Sequence, residues 1–319
     1  MKRTVIAAVI LSLGTVFAAA QNWPTKLVKI MVPFAAGATP DVVARLIADD
    51  LQTRLNQAFI VENRPGASGN TGTDAVAKAE PDGGTIGVSI GGPLAINTLL
   101  FPKLPYDPRK DLTLITLLVT QPSVLAVNTG LGVNDTRALI DVIKRNPGKY
   151  AFGSIGAGSL SHLAMEAIAL KSGTQLVHVP YASSPQAVTA LLRNDVQMVC
   201  LPAISIMPQL RAGAIKVLAV STAERSPLLP DIPTLKEAGI DVEADAWSGL
   251  IAPAGLRGPM TARIGQFVAQ AVTAPVVRDK LATQFMTPIP GTPAEVRARI
   301  DTDIARWSPI IAAAKIKIE

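Results

Sequence analysis

A chain of 319 residues with 49% hydrophobic residues is long enough for two α/β lobes with separate cores. Its formal charge of +6 comes from 30 Lys and Arg against 24 Asp and Glu, spread without the clusters or aromatic interleaving that would point to nucleic acid. One cysteine, Cys200, excludes an internal disulfide, and in the apolar run VQMVCLPAI it reads as a small buried hydrophobe.

Lys2 and Arg3, an apolar run over 5–17 and Ala18-Ala19-Ala20 have the three-part layout of a secretory signal peptide, with cleavage expected near Ala20 or Gln21. The apolar run is shorter than the ~20 residues that span a bilayer, and no later stretch is longer. Without a cysteine at the cleavage site no lipid anchor is expected, and the mature protein is expected to be soluble in the periplasm. Loss of Lys2 and Arg3 takes the charge from +6 to +4.

In the mature chain, strand-like and helical periodicities alternate. The first series is strand 27–33, helix 40–56, strand 59–62, helix 70–79, strand 85–90 and helix 93–101, a βαβ pattern of a parallel sheet covered by helices. Val28, Ile30 and Val32 alternate, and Thr39-Pro40-Asp41 reads as N-cap, N1 and N2 of the first helix. Between them Phe34-Ala35-Ala36-Gly37-Ala38 lies where free N–H groups and the helix dipole favour an anion. After a surface loop over 102–111, the apolar run 112–127 is long enough to cross into a second lobe. The second series has helix 136–145, strand 149–153, helix 159–172, strand 176–179, helix 185–193, strand 196–201, helix 204–212 and strand 215–221. A turn-rich linker through Ser226-Pro227 and Pro230 follows. The final helices, at 232–238, 259–272, 274–284, 293–300 and 300–314, are expected to pack on the first lobe.

Four loops fall at strand C-termini before helices, the usual ligand position in open α/β sheets: 33–39, 89–95, 153–161 and 182–186. None contains Lys, Arg, Asp or Glu. An anion there must be held by backbone N–H groups, Ser hydroxyls, waters and helix dipoles, the last contributing ~0.3–1 kcal/mol each when exposed and up to ~2 when partly buried.

The order VPFAAG…D at 32–41, VENRPGASGN at 61–70, AEPDGGTIGVS at 79–89, LPYDPRKDL at 104–112, GSIGAGSLSHLA at 153–164, VHVPY at 177–181 and AWSGLIAPAG at 246–255 resembles the Bug-type family, the extracytoplasmic solute receptors of tripartite tricarboxylate transporters. The resemblance covers nearly the whole mature chain. It implies an α/β, type II-like Venus-flytrap fold of two lobes, each a mainly parallel sheet flanked by helices. Lobe 1 is expected to comprise 21–120 and 226–319, with lobe 2 inserted as 121–225. It also implies capture of a small organic carboxylate by main-chain groups and waters, with delivery to one large and one small membrane subunit.

Matched to the family pattern, Phe34, Ala35, Ala36 and Gly37 form the first carboxylate loop and Asp41 its acidic residue, with Thr39 shifting the usual hydroxyl by one position. Ser89, Gly91 and Gly92 match the second loop. Gly156, Gly158, Ser159, Ser161 and His162 match the GxG…SxH segment, and Tyr181 with Ala182 the VPY loop. At Leu201 many relatives carry an acid, whose absence here argues against an amino-acid ligand. Trp247 has two readings, a wall of the cleft or lobe packing.

No cofactor is expected. GSIGAGS is not a dinucleotide fingerprint, and GxxxxGK[ST] and GxSxG are absent. His162 after Ser159 and Ser161 has no acid partner obvious in the sequence to orient it for nucleophilic catalysis. Two histidines and one cysteine do not provide a transition-metal ligand set, and His178 in LVHVP reads as a core histidine. Two alternatives to transport remain open on sequence: a binding protein docking on a sensor kinase, and a periplasmic enzyme. A monomer is the default for a receptor that opens and closes.

Overall fold

The structure, a computed structural model, describes residues 23–318, so the leader and its cleavage site lie outside the described residues. The chain builds two sheets. The first series gives β1 (Val28–Val32), α1 (Thr39–Leu55), β2 (Phe59–Asn63), α2 (Asn70–Ala77), β3 (Thr85–Ile90) and, through a π-helical turn at Gly92–Ile96, the short α3 (Asn97–Leu100). β4 (Leu112–Gln121) and β5 (Ser123–Asn128) carry the chain across to the second sheet. The second lobe contains α4 (Thr136–Arg145), β6 (Ala151–Ser154), α5 (Leu160–Ser172), β7 (Val177–Pro180), α6 (Ser184–Arg193), β8 (Met198–Pro202), α7 (Ala203–Arg211) and β9 (Ile215–Val220). The chain then returns through β10 (Ala246–Pro253), α8 (Gly258–Thr273), α9 (Pro275–Ala282), β11 (Thr287–Pro288) and α10 (Pro293–Ala313).

The sheet orders are β11-β4-β10-β3-β1-β2 and β7-β6-β8-β5-β9. β1 pairs in parallel with β2 and β3, as β6 does with β7 and β8. The crossing and returning strands run the other way, so β10 is antiparallel to β3 and β4, and β5 to β8 and β9. Each sheet is therefore mixed, parallel where βα units wind and antiparallel where the chain changes lobe. β10, with Trp247 through Ala252 all buried, occupies the middle of the first sheet; buried on both faces, it has no period-2 alternation to announce a strand.

Burial explains the first helix. Val43, Ala44, Ile47, Ala48 and Leu51 face Val28, Ile30, Val32, Ile86 and Val88 of the sheet. Burying each large aliphatic side chain contributes about 1.5–3 kcal/mol before entropy is set against it.

Two expectations change. Residues 226–244 do not join the first lobe: Val220 N–H donates to Pro233 O, Leu235 N–H to Val220 O and Ala244 N–H to Ser221 O, tying the segment to β9. Leu235, Ile240 and Val242 pack with Phe152 and Leu163 of the second core. The second crossing is therefore at 244–246, and the helix expected over 232–238 is a series of turns whose backbone groups are used in this docking. The last helix is also continuous rather than two. Its capping box has Thr292 Oγ1 accepting from Glu295 N–H and Glu295 Oε2 accepting from Thr292 N–H, and it runs on through Pro309. Val296 and Ile300 enter the first lobe's core and Trp307, Ile310 and Ile311 the second's, so α10 spans both.

Candidate ligand-binding site

The first loop is organised from below by Asp41, which is 2% exposed. Its Oδ2 accepts from Gly37 N–H at 2.8 Å and Arg45 Nε at 3.0 Å, and its Oδ1 accepts from Asn63 Nδ2 at 2.8 Å. Burial opposes ionisation of this carboxyl, but the bonds from Arg45, Gly37 and Asn63 outweigh it and hold it below the usual carboxylate range. Helix α1 begins at Thr39 with Ala38 as N-cap, so Thr39 does not cap it. The Thr39 hydroxyl lies 3.4 Å from Gln121 Oε1, at the first crossing. Asp41 takes Gly37 N–H and Ala35 O takes Ala38 N–H, whereas the amides of Ala35, Ala36 and Thr39 have no protein partner among the described residues.

Neighbouring loops close around this one. A Cβ built on Gly69 would stand 2.7 Å from Pro93 Cγ and 2.8 Å from Phe34 Cζ, so the β1–α1, β2–α2 and β3–α3 connections meet at a residue that must be glycine. Asn63 Nδ2 also donates to Phe34 O at 3.0 Å. Tyr106 Oη lies 2.8 Å from Pro93 O and 3.0 Å from Asn70 Oδ1, which also accepts from Asn97 Nδ2 at 2.6 Å. Burial pushes the Tyr106 phenol up, keeping it a neutral donor.

In the second lobe, Ser159 caps α5 by accepting from His162 N–H at 3.3 Å. Ser161 Oγ accepts from Ile155 N–H at 3.0 Å, Ser159 Oγ donates to Gly156 O at 2.7 Å, and His162 Nδ1 accepts from Gly158 N–H at 3.1 Å. The amides of Ala157, Leu160 and Ser161 are without a protein partner among the described residues. Tyr181 N–H donates to Ser154 O at 2.9 Å, joining the VPY loop to this one. The Tyr181 ring lines an open groove with Pro185, Gln186, Thr189 and Arg193 along α6.

The residues singled out by sequence therefore divide. Ala35, Ala36, Gly37 and Ala182 are exposed and Phe34, Thr39, Gly92, Gly156, Ser159 and Tyr181 half-buried, all on loops at strand C-termini. Gly91 and Gly158 are buried but keep their backbone in those loops, Gly91 resting on Trp247. Ser89, Asp41, Ser161 and His162 turn their side chains inward: Ser89 Oγ is 3.2 Å from Thr73 Oγ1, and the others bond the loops they support. Leu201 is fully buried in the core formed with α6 and α7. Of the two readings of Trp247, packing prevails. It is 3% exposed and its Nε1 donates to Asp303 Oδ2 of α10 at 2.7 Å.

Sequence reasoning passed over Asn63 and Ile155. Asn63 reads as a strand end, with no local signal of its two loop contacts. Ile155, 38% exposed, was visible as a large apolar side chain among the Gly, Ser and Ala of 153–159. It also passed over the charges at the second crossing. Arg299 and Arg306 lie on one face of α10 with Asp303; Arg299 contacts Asp245 at 2.5 Å and Arg306 contacts Glu243 at 2.9 Å. Thr120 donates to Asp245 as well, at 2.5 Å, so both crossings are pinned to α10. The i, i+4 and i, i+7 spacing was the available signal.

Two α/β sheets joined by two crossings, with polar, cation-free loops at strand ends, define a two-lobed periplasmic-binding-protein fold. The chain belongs to the tripartite tricarboxylate transporter family receptors, whose family description matches residues 43–316. It is 32% identical to protein BugT of Bordetella pertussis over 94% of this chain and 93% of that one. A protein of R. palustris solved with adipate superposes with a TM-score of 0.81 at 32% identity, covering 93% of this chain and 99% of the other. MatC from Rhodopseudomonas palustris with bound malate gives 0.76 at 30% identity, covering 91% and 100%. Among the described residues no helix is long and apolar enough to cross a membrane, and no group of three His, Cys, Asp or Glu is placed to hold a metal.

Proposed function

We propose that this receptor binds a small organic carboxylate between its lobes in the periplasm and passes it, chemically unchanged, to the large and small membrane subunits of a tripartite transporter. The observation that carries this reading is the set of partnerless main-chain amides at Ala35, Ala36 and Thr39 on one lobe and Ala157, Leu160 and Ser161 on the other, in loops without a charged side chain. Amides at the starts of α1 and α5 supply partial positive charge where a carboxylate needs it, and because they belong to the backbone they involve no side-chain ordering on binding. The family and the adipate and malate held by its relatives support the same class of ligand. Exposed Ile155, Ala157 and Ala182 beside the amides suit the apolar body of such an acid.

A thermal-shift panel of mono-, di- and tricarboxylates, aromatic acids and amino acids tests the reading, followed by calorimetry on any positive compound. Ligand at ~100 times its dissociation constant adds about 2.7 kcal/mol to the native state, a shift of several degrees. One carboxylate class is expected to stabilise the protein. Stabilisation by neutral sugars alone would overturn it. Recovery of a chemically altered ligand after long incubation would replace the receptor with an enzyme.

A further inference from the structure

Beneath the second-lobe loop, the rings of His162 and His178 stack at 3.7 Å between centroids and 10° between planes, and Phe152 stacks on His178 at 5.0 Å. His178 Nε2 is 2.7 Å from Ser154 Oγ, and that hydroxyl also accepts from Gly156 N–H at 3.2 Å. His162 Nδ1 accepts from Gly158 N–H, so this ring carries its proton on Nε2, 3.5 Å from Glu166 Oε1. Gly158 is hemmed in from elsewhere. It has φ +72°, and a Cβ there would come 2.6 Å from Leu100 Cδ1 of the first lobe and 2.8 Å from Ile318 Cδ1 of the C-terminal tail.

We propose that His162 and His178 are a positioning pair for the second-lobe loop: His162 Nδ1 holds Gly158 N–H, and His178 holds the Ser154 hydroxyl that receives Gly156 N–H, so that the free amide of Ala157 between them is fixed for ligand. The proposal rests on the reading of that loop as part of the carboxylate site. Glu166, on the same helix as His162, stands at Nε2, which leaves Nδ1 as the acceptor for Gly158 N–H. His178 on β7 stacks on the His162 ring and Phe152 of β6 packs against both, so the ring plane that aims Nδ1 is set by the sheet beneath. The tail and α3 present Ile318 and Leu100 at Gly158 from the other side. His162 thus serves the ligand from below without touching it.

Imidazole ¹⁵N spectra and amide exchange in the purified protein, with His162→Asn and His162→Leu, test this directly. At about pH 7.5 His162 Nδ1 is expected to be the bare nitrogen and Gly158 N–H protected, protected also in His162→Asn, whose amide oxygen can accept it, and unprotected in folded His162→Leu. Adipate titrations at about pH 7.5 compare wild type, His162→Asn and His162→Leu. His162→Leu is expected to bind about fivefold to tenfold more weakly than wild type, the scale of one hydrogen bond, and His162→Asn to recover most of that loss. A protonated Nδ1 at neutral pH, or equal affinities of His162→Leu and His162→Asn, overturns the proposal. If none of the three proteins binds adipate or any other acid of the panel, the carboxylate reading falls, and the nitrogen spectra and Gly158 exchange still decide the positioning role.

Discussion

At the residue scale, the candidate site is shaped by side chains buried beneath its loops. Asp41 is the clearest case: one buried carboxylate receives three donors from three segments and fixes the curvature of an exposed loop. Asp41→Ala leaves those donors to find other partners and is expected to cost about 1–3 kcal/mol of stability, read from the urea midpoint, together with weaker carboxylate binding. An unchanged midpoint would show that Asn63 and the loop's own turn suffice. Because its folded pKa lies below the usual value of 3.8, the Asp41 contribution is complete above that pH and is lost as pH falls through the folded value. Gly158→Ala places a Cβ against Leu100 and Ile318 at positive φ; a loss of about 1–2 kcal/mol is expected in the same measurement. Asp41 was legible as a helix-start acid. Its distant partner was not, since Asn63 reaches it only after β2 is laid beside β1.

Among the elements, α10 has the most to do with how the lobes relate. It buries apolar side chains in both cores and, between them, sets Arg299, Asp303 and Arg306 against the returning crossing at Glu243 and Asp245. Burial pushes the Asp303 carboxyl up, against the Trp247 hydrogen bond and the two guanidinium groups. Asp303→Ala leaves Arg299, whose Nε already has no hydrogen-bond partner, without its nearest counter-charge on α10 and strips Trp247 Nε1 of its acceptor. Removing one partner of a buried pair is expected to destabilise by about 3 kcal/mol, read from chemical denaturation. Asp303→Asn, which still accepts from Trp247, is expected to lose less. Equal losses would assign the effect to charge alone. Hydrophobic periodicity located this helix but divided it near residue 300, since neither repeating apolar positions nor Pro309 reveals that a single helix serves two cores. β10 was hidden for a related reason, its run being buried on both faces.

For the molecule as a whole, acid sensitivity should originate in the second lobe. Burial, and then the neighbouring His162, lower the His178 pKa from 6.5 to about 4, with Glu166 acting the other way. The unfolded chain therefore binds more protons than the folded one between those values, and stability falls as pH is lowered from about 6.5 towards about 4. Thermal midpoints across that window are expected to decline in wild type and to flatten in His178→Phe; parallel curves would place the sensitivity elsewhere. The sequence by itself determined the alternation of strands and helices, the loops at strand ends and the absence of charge in them, because these depend on periodicity and local turn chemistry. Only the tertiary structure decided which amides remain free, that Trp247 and Leu201 are core, and that 226–244 stays with the second lobe. Those outcomes depend on hydrogen bonds and packing between segments far apart in the chain, and no local pattern encodes which distant partner a backbone group or an apolar face will meet.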